Sequence, residues 1–285
     1  MTAAALLQEA ETALQAAGVA SPEWDAERLF RHVLGWDRAT LVSRTQVEIA
    51  EPAARRFREL VARRGHRVPL QHLIGVQAFW KHDFLVTPEV LIPRGETELL
   101  VETALVRLRG LPRPVIVDLG TGSGCIALSL AAERSDAEIH AGDLSEPALA
   151  VARENARRLG LASRVTFHLG HLLEPLAHLA GRVDLVVSNP PYVALSERDL
   201  LAPEVRDHEP AMALFPPEPG PGIYAQIARG SRNLLRPQGS LAVEIGLGQH
   251  DSVRGAIESE GLRVIDTRPD LQGVIRVIVA VRPRC

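Results

Sequence analysis

Apolar residues in the first part of the chain recur three and four positions apart, the spacing that gathers them on one face of a helix. Leu6, Leu7, Ala10, Leu14 and Ala17 form one such stripe, and Gly18 stops it. Ser21 and Pro22 place a capping residue before a proline at the first helical position, opening a helix that carries Phe30, Val33 and Leu34 and closes at Gly35. Pro52 opens another, with Phe57, Leu60 and Val61. Helices this short bury their stripes only against one another, so residues 1–67 predict a small helical bundle. From 68 to 90 the texture turns to the extended pieces LIGVQAF and HDFLV, which predict a β-hairpin linker.

From 91 to 285 the pattern changes again. A helix starting near Glu96 leads to Pro112 and Pro114, and the buried-strand run Val115 to Leu119 follows. Further strands are predicted at 138–143, 165–169, 183–188, 241–245, 262–267 and 274–280, with helical stretches between most of them. Strands alternating with helices define an α/β fold, a mostly parallel seven-stranded sheet covered on both faces, as in Rossmann-like proteins. The connection 268–273 is too short for a crossover helix, so the last strand is expected to run antiparallel.

Composition narrows the field. With 285 residues, 46% hydrophobic and 24% charged, the chain suits folded domains and excludes collagen-like or disordered classes. A net charge of −3 argues against a globally basic nucleic-acid binder. No stretch offers the roughly 18 apolar residues of a membrane span. Cys125 and Cys285 are far apart, and the ten histidines, including the near neighbours His168 and His171, form no ligand-spaced set, so neither disulfides nor a metal site is expected. A reducing, cytoplasmic setting and a monomer are the expectation.

The small net charge hides a local division. Arg55, Arg56, Arg58, Arg63, Arg64, Arg67 and Lys81 face only Glu59 within 52–81. Between Leu195 and Pro219 the acids Glu197, Asp199, Glu204, Asp207, Glu209 and Glu218 outnumber Arg198 and Arg206. The first segment reads as a solvated helix face or a docking surface, and the second as a cradle for a basic loop of a protein substrate.

The candidate chemistry lies at strand ends. Gly120, Thr121, Gly122, Ser123 and Gly124 follow a strand and open a helix, and Asp143 ends the next strand. Glycines there admit a cofactor close to the backbone, and a terminal carboxylate can accept both hydroxyls of a ribose. The spacing is GxGxG and no P-loop lysine follows, which fits a nucleoside cofactor without pyrophosphate; the same residues also make a tight turn with a capping aspartate. Val183 to Ser188 runs into Asn189, Pro190, Pro191 and Tyr192. Two prolines remove two donors and stop the strand, leaving a rigid rack of acceptors. An amide or exocyclic amino nitrogen is a poor nucleophile until acceptors such as the Asn189 side-chain oxygen and the Pro190 carbonyl hold its hydrogens and aim its lone pair. Tyr192 can pack on the planar group.

The glycine turn, Asp143 and an antiparallel final strand together resemble the S-adenosylmethionine-dependent methyltransferases. Asn189-Pro190-Pro191-Tyr192 is shared with adenine-N6 and glutamine methyltransferases. Further stretches, Pro69 to Gly75, Leu91 to Arg94 with Glu96 to Glu98, Glu244 to Gly246, and Asp270 to Gly273, resemble the PrmC/HemK release factor glutamine-N5 methyltransferases from about residue 69 to the end. The resemblance implies methyl transfer from S-adenosylmethionine, released as S-adenosylhomocysteine, to the Gly-Gly-Gln glutamine of class 1 release factors. It implies that Gly120 to Gly124 hold the methionine part, Asp143 the ribose and Leu172 the adenine, that Asn189 to Tyr192 bind the glutamine, and that Asn189 also borders the cofactor. It also implies a substrate-docking role for the helical region. The chain departs from the family pattern at Gly95, at Gly170-His171-Leu172, and at Pro219 to Gly222. Competing readings are an adenine-N6 nucleic-acid methyltransferase, which wants a basic groove, and a non-catalytic adaptor that binds the cofactor.

Overall fold

The computed structural model describes residues 1–216 and 220–284, so the calls on Glu218, Pro219 and Cys285 lie outside the described residues. The chain divides into two compact units, one made of Met1–Val76 with Ala202–His208, the other of Gln77–Leu201 with Glu209–Cys285.

The first unit holds α1 (Ala3–Ala16), α2 (Pro22–Leu34), α3 (Arg38–Ser43), α4 (Glu51–Gly65) and α5 (Leu70–Ile74). Thr2 caps α1 by accepting from the Ala5 N–H, and Gly35 ends α2 in the left-handed conformation at φ 65°. Ser21 stands at the expected cap position but its side chain makes no capping bond. Leu6, Leu14, Leu29, Phe30, Phe57 and Leu60 are fully buried, and the Phe30 and Phe57 rings meet edge to face at 5.1 Å. The stretch from Leu70 to Ile74, its end expected to be extended, is a helical turn closed by Gly75 at φ 80°, so helical structure continues past residue 67. Leu70 and Leu73 bury themselves in the helical core, which overrides the β-branched texture of the strip that follows.

Arg64 is buried in this unit and pairs with Asp25 at 2.7 Å and with Glu204 at 2.8 Å. Arg67 holds the same Glu204 through two bonds of 2.8 and 2.7 Å. Arg58 pairs with Glu9 at 2.8 Å. Much of the basic segment is therefore matched inside its own unit, and Glu204, read in the sequence as part of a cradle for a basic substrate, spends its charge on Arg64 and Arg67.

The second unit opens with the hairpin β1 (Val76–Phe79) and β2 (His82–Leu85). It is no free linker: Phe79 and Phe84 sit at 2% and 0% exposure in the large core beneath the sheet. There follow α6 (Glu98–Arg107), β3 (Val115–Leu119), α7 (Cys125–Glu133), β4 (Glu138–Asp143), α8 (Glu146–Arg158), β5 (Val165–Leu169) and β6 (Val183–Ser188). The short helices α9 (Pro203–His208) and α10 (Ala211–Leu214) lead to α11 (Gly222–Leu234), β7 (Leu235–Glu244), α12 (His250–Ser259), β8 (Arg263–Pro269) and β9 (Ile275–Val281).

The sheet order is β5-β4-β3-β6-β7-β9-β8, with β9 antiparallel to both its neighbours. The seven strands and the antiparallel last strand are those the sequence predicts. Asp270 accepts from the Gln272 and Val274 N–H groups at 2.9 and 3.0 Å, tying the short turn into β9. From β3 the chain winds outward through β4 and β5, then returns to place β6 on the other side of β3. That reversal opens a crevice beyond the carboxyl ends of β3 and β6, where open α/β sheets bind ligands. Leu119 and Ser188, the last residues of these two strands, are paired in register.

Candidate active site

The glycine turn leaves β3 with Gly120, Gly122 and Gly124 at φ 71°, 55° and 82°, a run of left-handed backbone that a side chain resists. Gly124 is also short of space: a Cβ there would lie 3.0 Å from Leu128 Cδ1 and 3.2 Å from Ala152 Cβ. Gly120 and Gly122 face open space. Beneath the turn Asp118 is fully buried, accepting from the Thr121 hydroxyl at 2.6 Å and the Ala127 N–H at 3.1 Å. Burial pushes its carboxyl up to about 7 against those two bonds.

The first three donors of the turn are committed to the end of β4. Gly120 and Thr121 N–H both bond the Gly142 carbonyl, at 2.9 and 3.0 Å, and Gly122 N–H bonds Asp143 Oδ2 at 2.8 Å. Ser145 N–H takes Asp143 Oδ1 at 2.9 Å. With these donors turned inward, Gly120 and Gly122 present bare backbone to the space above them. Asn155, buried in α8, braces the far side, with Nδ2 donating to Ser123 O at 2.8 Å and Leu85 O at 3.0 Å while Oδ1 accepts from Leu85 N–H at 2.7 Å.

A cavity of about 380 Å³ opens over this turn. Gly120, Gly122 and Asp143 form one wall, and Ser188, Asn189, Pro190 and Pro191 another. Gly170, His171 and Leu172 line it as well, Leu172 in the left-handed region at φ 46°. Among its described lining residues stand the carboxylates Glu89 and Asp143 and neither arginine nor lysine. The donor set fits S-adenosylmethionine: a carboxylate for two hydroxyls, apolar walls for a base, and negative charge toward a sulfonium.

The structure thus brings together Gly120, Gly122, Asp143, Leu172, Asn189, Pro190 and Pro191. It does not bring Thr121, Ser123 or Gly124 to the lining. Thr121 and Ser123 are buried, the former turned to Asp118, and Gly124 packs on α7 and α8. Tyr192 also stands behind the lining, packed on the core under the strand ends, its carbonyl accepting from Gln249 Nε2 at 2.8 Å. Burial, with the Glu244 charge beside it, pushes the Tyr192 hydroxyl up to about 12. His168 meets His140, Nε2 to Nδ1, at 3.0 Å.

Sequence reasoning passed over several site neighbours. Pro210, Met212, Ala213 and Phe215 around α10 line the cavity, their only sequence signal being apolar residues within an acidic loop. Glu209, counted with the acidic cradle, is almost wholly buried and ion-paired with Arg94, while its other oxygen accepts from Ile92 N–H at 3.2 Å. Glu244, a carboxylate inside the apolar run LAVEIG, is 2% exposed next to Asn189.

The sheet order and the crevice define the class, that of methyltransferases. A methyltransferase from Pyrococcus furiosus shares the fold at TM-score 0.50 and 16% identity, over 73% of this chain and 92% of its own. The PrmC N-terminal domain family matches residues 5–75 and the methyltransferase small domain family residues 95–204. Release factor glutamine methyltransferases from Cereibacter sphaeroides and Moorella thermoacetica are 44% and 43% identical over 99% of this chain and of their own. One from Deinococcus radiodurans is 39% identical over 97% of each chain. The chain belongs to the release factor glutamine methyltransferase family.

Proposed function

We propose that this protein methylates the side-chain amide nitrogen, N5, of the glutamine in the Gly-Gly-Gln motif of class 1 release factors. The observation that carries this reading is the position of Asn189, Pro190 and Pro191 on one wall of the cavity with Gly120, Gly122 and Asp143 on another. S-adenosylmethionine, when bound, supplies an electrophilic methyl on its sulfonium. Asp143 accepts the ribose hydroxyls on lone pairs that Gly122 and Ser145 leave unused. Leu172 and its neighbours cover the adenine, and the open face over Gly120 and Gly122 takes the methionine part.

Asn189 Oδ1 and the Pro190 carbonyl accept the two hydrogens of the substrate amide. This draws electron density onto nitrogen and aims its lone pair along one line. The nitrogen's extra proton departs after transfer, so no strong base is needed at the moment of attack. Tyr192, held neutral, backs the prolines and keeps the rack rigid. No helix among the described residues is long and apolar enough to cross a membrane, and we place the reaction in the cytoplasm, with a monomer acting on its protein substrate.

Mass spectrometry of release factor incubated with enzyme and S-adenosylmethionine tests the reading. One added methyl on the Gly-Gly-Gln glutamine is the expected result. Incorporation into duplex DNA instead would support the adenine reading, and cofactor binding without transfer to either would support the adaptor.

A further inference from the structure

Asn189 works only if its carboxamide points the right way. An amide turned by 180° would offer two donors to a substrate amide that itself brings donors, so the wrong orientation is repulsive as well as unproductive. What fixes the orientation lies behind the cavity wall. Thr97, 3% exposed, puts its hydroxyl oxygen 3.1 Å from Asn189 Nδ2. Glu244, 2% exposed at the end of β7, takes hydrogen bonds from both the Thr97 and the Asn189 side chains. A carboxylate offers acceptors only, so the nitrogen end of Asn189 is the end that must face it. With Nδ2 turned toward Thr97 and Glu244, Oδ1 is left as the acceptor on the other side.

We propose that Glu244 is a positioning residue for methyl transfer, holding Asn189 through Thr97 and its own carboxylate so that Asn189 Oδ1 faces the substrate amide. Its backbone is fixed independently, since the Tyr224 hydroxyl donates to Glu244 O at 3.0 Å and β7 pairs with β9 at Glu244 and Val277. The second carboxylate oxygen, Oε2, is buried without a hydrogen-bond partner. A buried oxygen with no partner costs stability. A purely structural role would be filled better by an apolar residue of like size.

The charged and titratable groups around this carboxylate are Arg276 on β9, Glu96 ahead of α6, Tyr192 after β6, Tyr224 on α11 and Cys125 at the start of α7. Burial outweighs Arg276 and the two hydrogen bonds and pushes the Glu244 carboxyl up to about 7. Once protonated, it can also donate to the oxygen of a turned Asn189 amide, and the preference for the productive orientation weakens. Transfer should accordingly fall as pH drops through about 7.

The proposal rests on the release factor reading for its activity arm and has one arm that does not. In the first, Glu244→Leu is expected to lower kcat about a hundredfold, the scale of a misplaced reacting group, with cofactor affinity within about threefold and Tm unchanged or raised. Glu244→Gln, which like the protonated carboxyl can donate as well as accept, should hold kcat near the parent's low-pH level and remove the inflection near pH 7. If the parent enzyme transfers nothing to release factor, the functional reading fails, not this one. In the second arm, the Asn189 side-chain amide signal in NMR, assigned by its disappearance in Asn189→Asp, should shift between about pH 6 and 8 and stay still in Glu244→Gln. Full kcat in Glu244→Leu, or an Asn189 amide signal unmoved by both pH and Glu244→Leu, overturns the proposal.

Discussion

Gly122 N–H donates to Asp143 Oδ2 at 2.8 Å, so the glycine turn after β3 and the acid that ends β4 are one hydrogen-bonded unit and not two separate motifs. Ser145 N–H on the other oxygen fixes the carboxylate plane. Asp143→Asn puts an amide NH2 against one of these N–H donors. S-adenosylmethionine binding, followed by calorimetry, is expected to weaken about tenfold or more, the loss of one hydrogen bond to a charged group. Affinity equal to the parent's would remove Asp143 from the cofactor site.

Asn189→Ala should separate binding from chemistry. A loss in kcat of about a hundredfold or more is expected, because the amide nitrogen is no longer aimed. The dissociation constant of the cofactor should change little, since Gly120, Gly122 and Asp143 are untouched. Equal loss of both in single-turnover and binding measurements contradicts the role given to Asn189.

The glycines of the turn are not equivalent. Gly124→Ala combines φ 82° with a methyl 3.0 Å from Leu128, and is expected to cost about 2–4 kcal/mol in urea denaturation. Gly120→Ala meets no atom within 4 Å and should cost about 1–2 kcal/mol from backbone strain alone. The order of the two losses is the measurement that checks this.

Asp118 makes stability depend on pH with a definite sign. Its carboxyl ionises near the ordinary 3.8 in the unfolded chain but only at about 7 in the fold, because burial disfavours the charge. Between those values the unfolded state binds fewer protons, so this contribution is full below about pH 4 and is lost as pH rises through about 7. Glu244 adds a contribution of the same sign. Asp118→Asn should therefore reduce, without abolishing, the fall in Tm between pH 4 and 8, as read by circular dichroism.

Glu204 is expected to matter for stability and not for substrate attraction. Glu204→Gln leaves buried Arg64 with Asp25 as its one ionic partner and takes away the carboxylate that faces Arg67, which should cost about 1–3 kcal/mol. Thermal unfolding and the salt dependence of release factor KM are the measurements to compare; a changed salt dependence with unchanged Tm would restore Glu204 to a docking role.

Much of this site was legible because its parts sit at strand ends, where local spacing and tertiary position coincide. Gly120, Asp143 and Asn189 each follow or end a run of apolar residues, and the sheet order brings those ends together. Thr121, Ser123 and Gly124 share that local context but serve the turn's interior, a distinction set by rotamer and packing against Asp118, Leu128 and Ala152. Two acids of the loop needed the fold for a related reason. Charge along a sequence does not show that Glu204 meets Arg64, 140 positions earlier, or that Glu209 meets Arg94. Glu244 was visible as an acid within a strand, yet its partner Thr97 lies on a different element, and only the fold joins them.

Residues 202–208 belong in sequence to the loop that follows the prolines, yet they are built into the helical unit. That unit is discontinuous, and the chain passes between the two units three times. No single cut can release the helical unit whole: ending the chain at residue 76 strips Arg64 and Arg67 of Glu204, and starting it at 77 keeps the sheet unit entire but carries Glu204 without both arginines. Gene fragments of this family member should be judged as interleaved modules, and a helical half obtained alone should be expected to have lost part of its own interior.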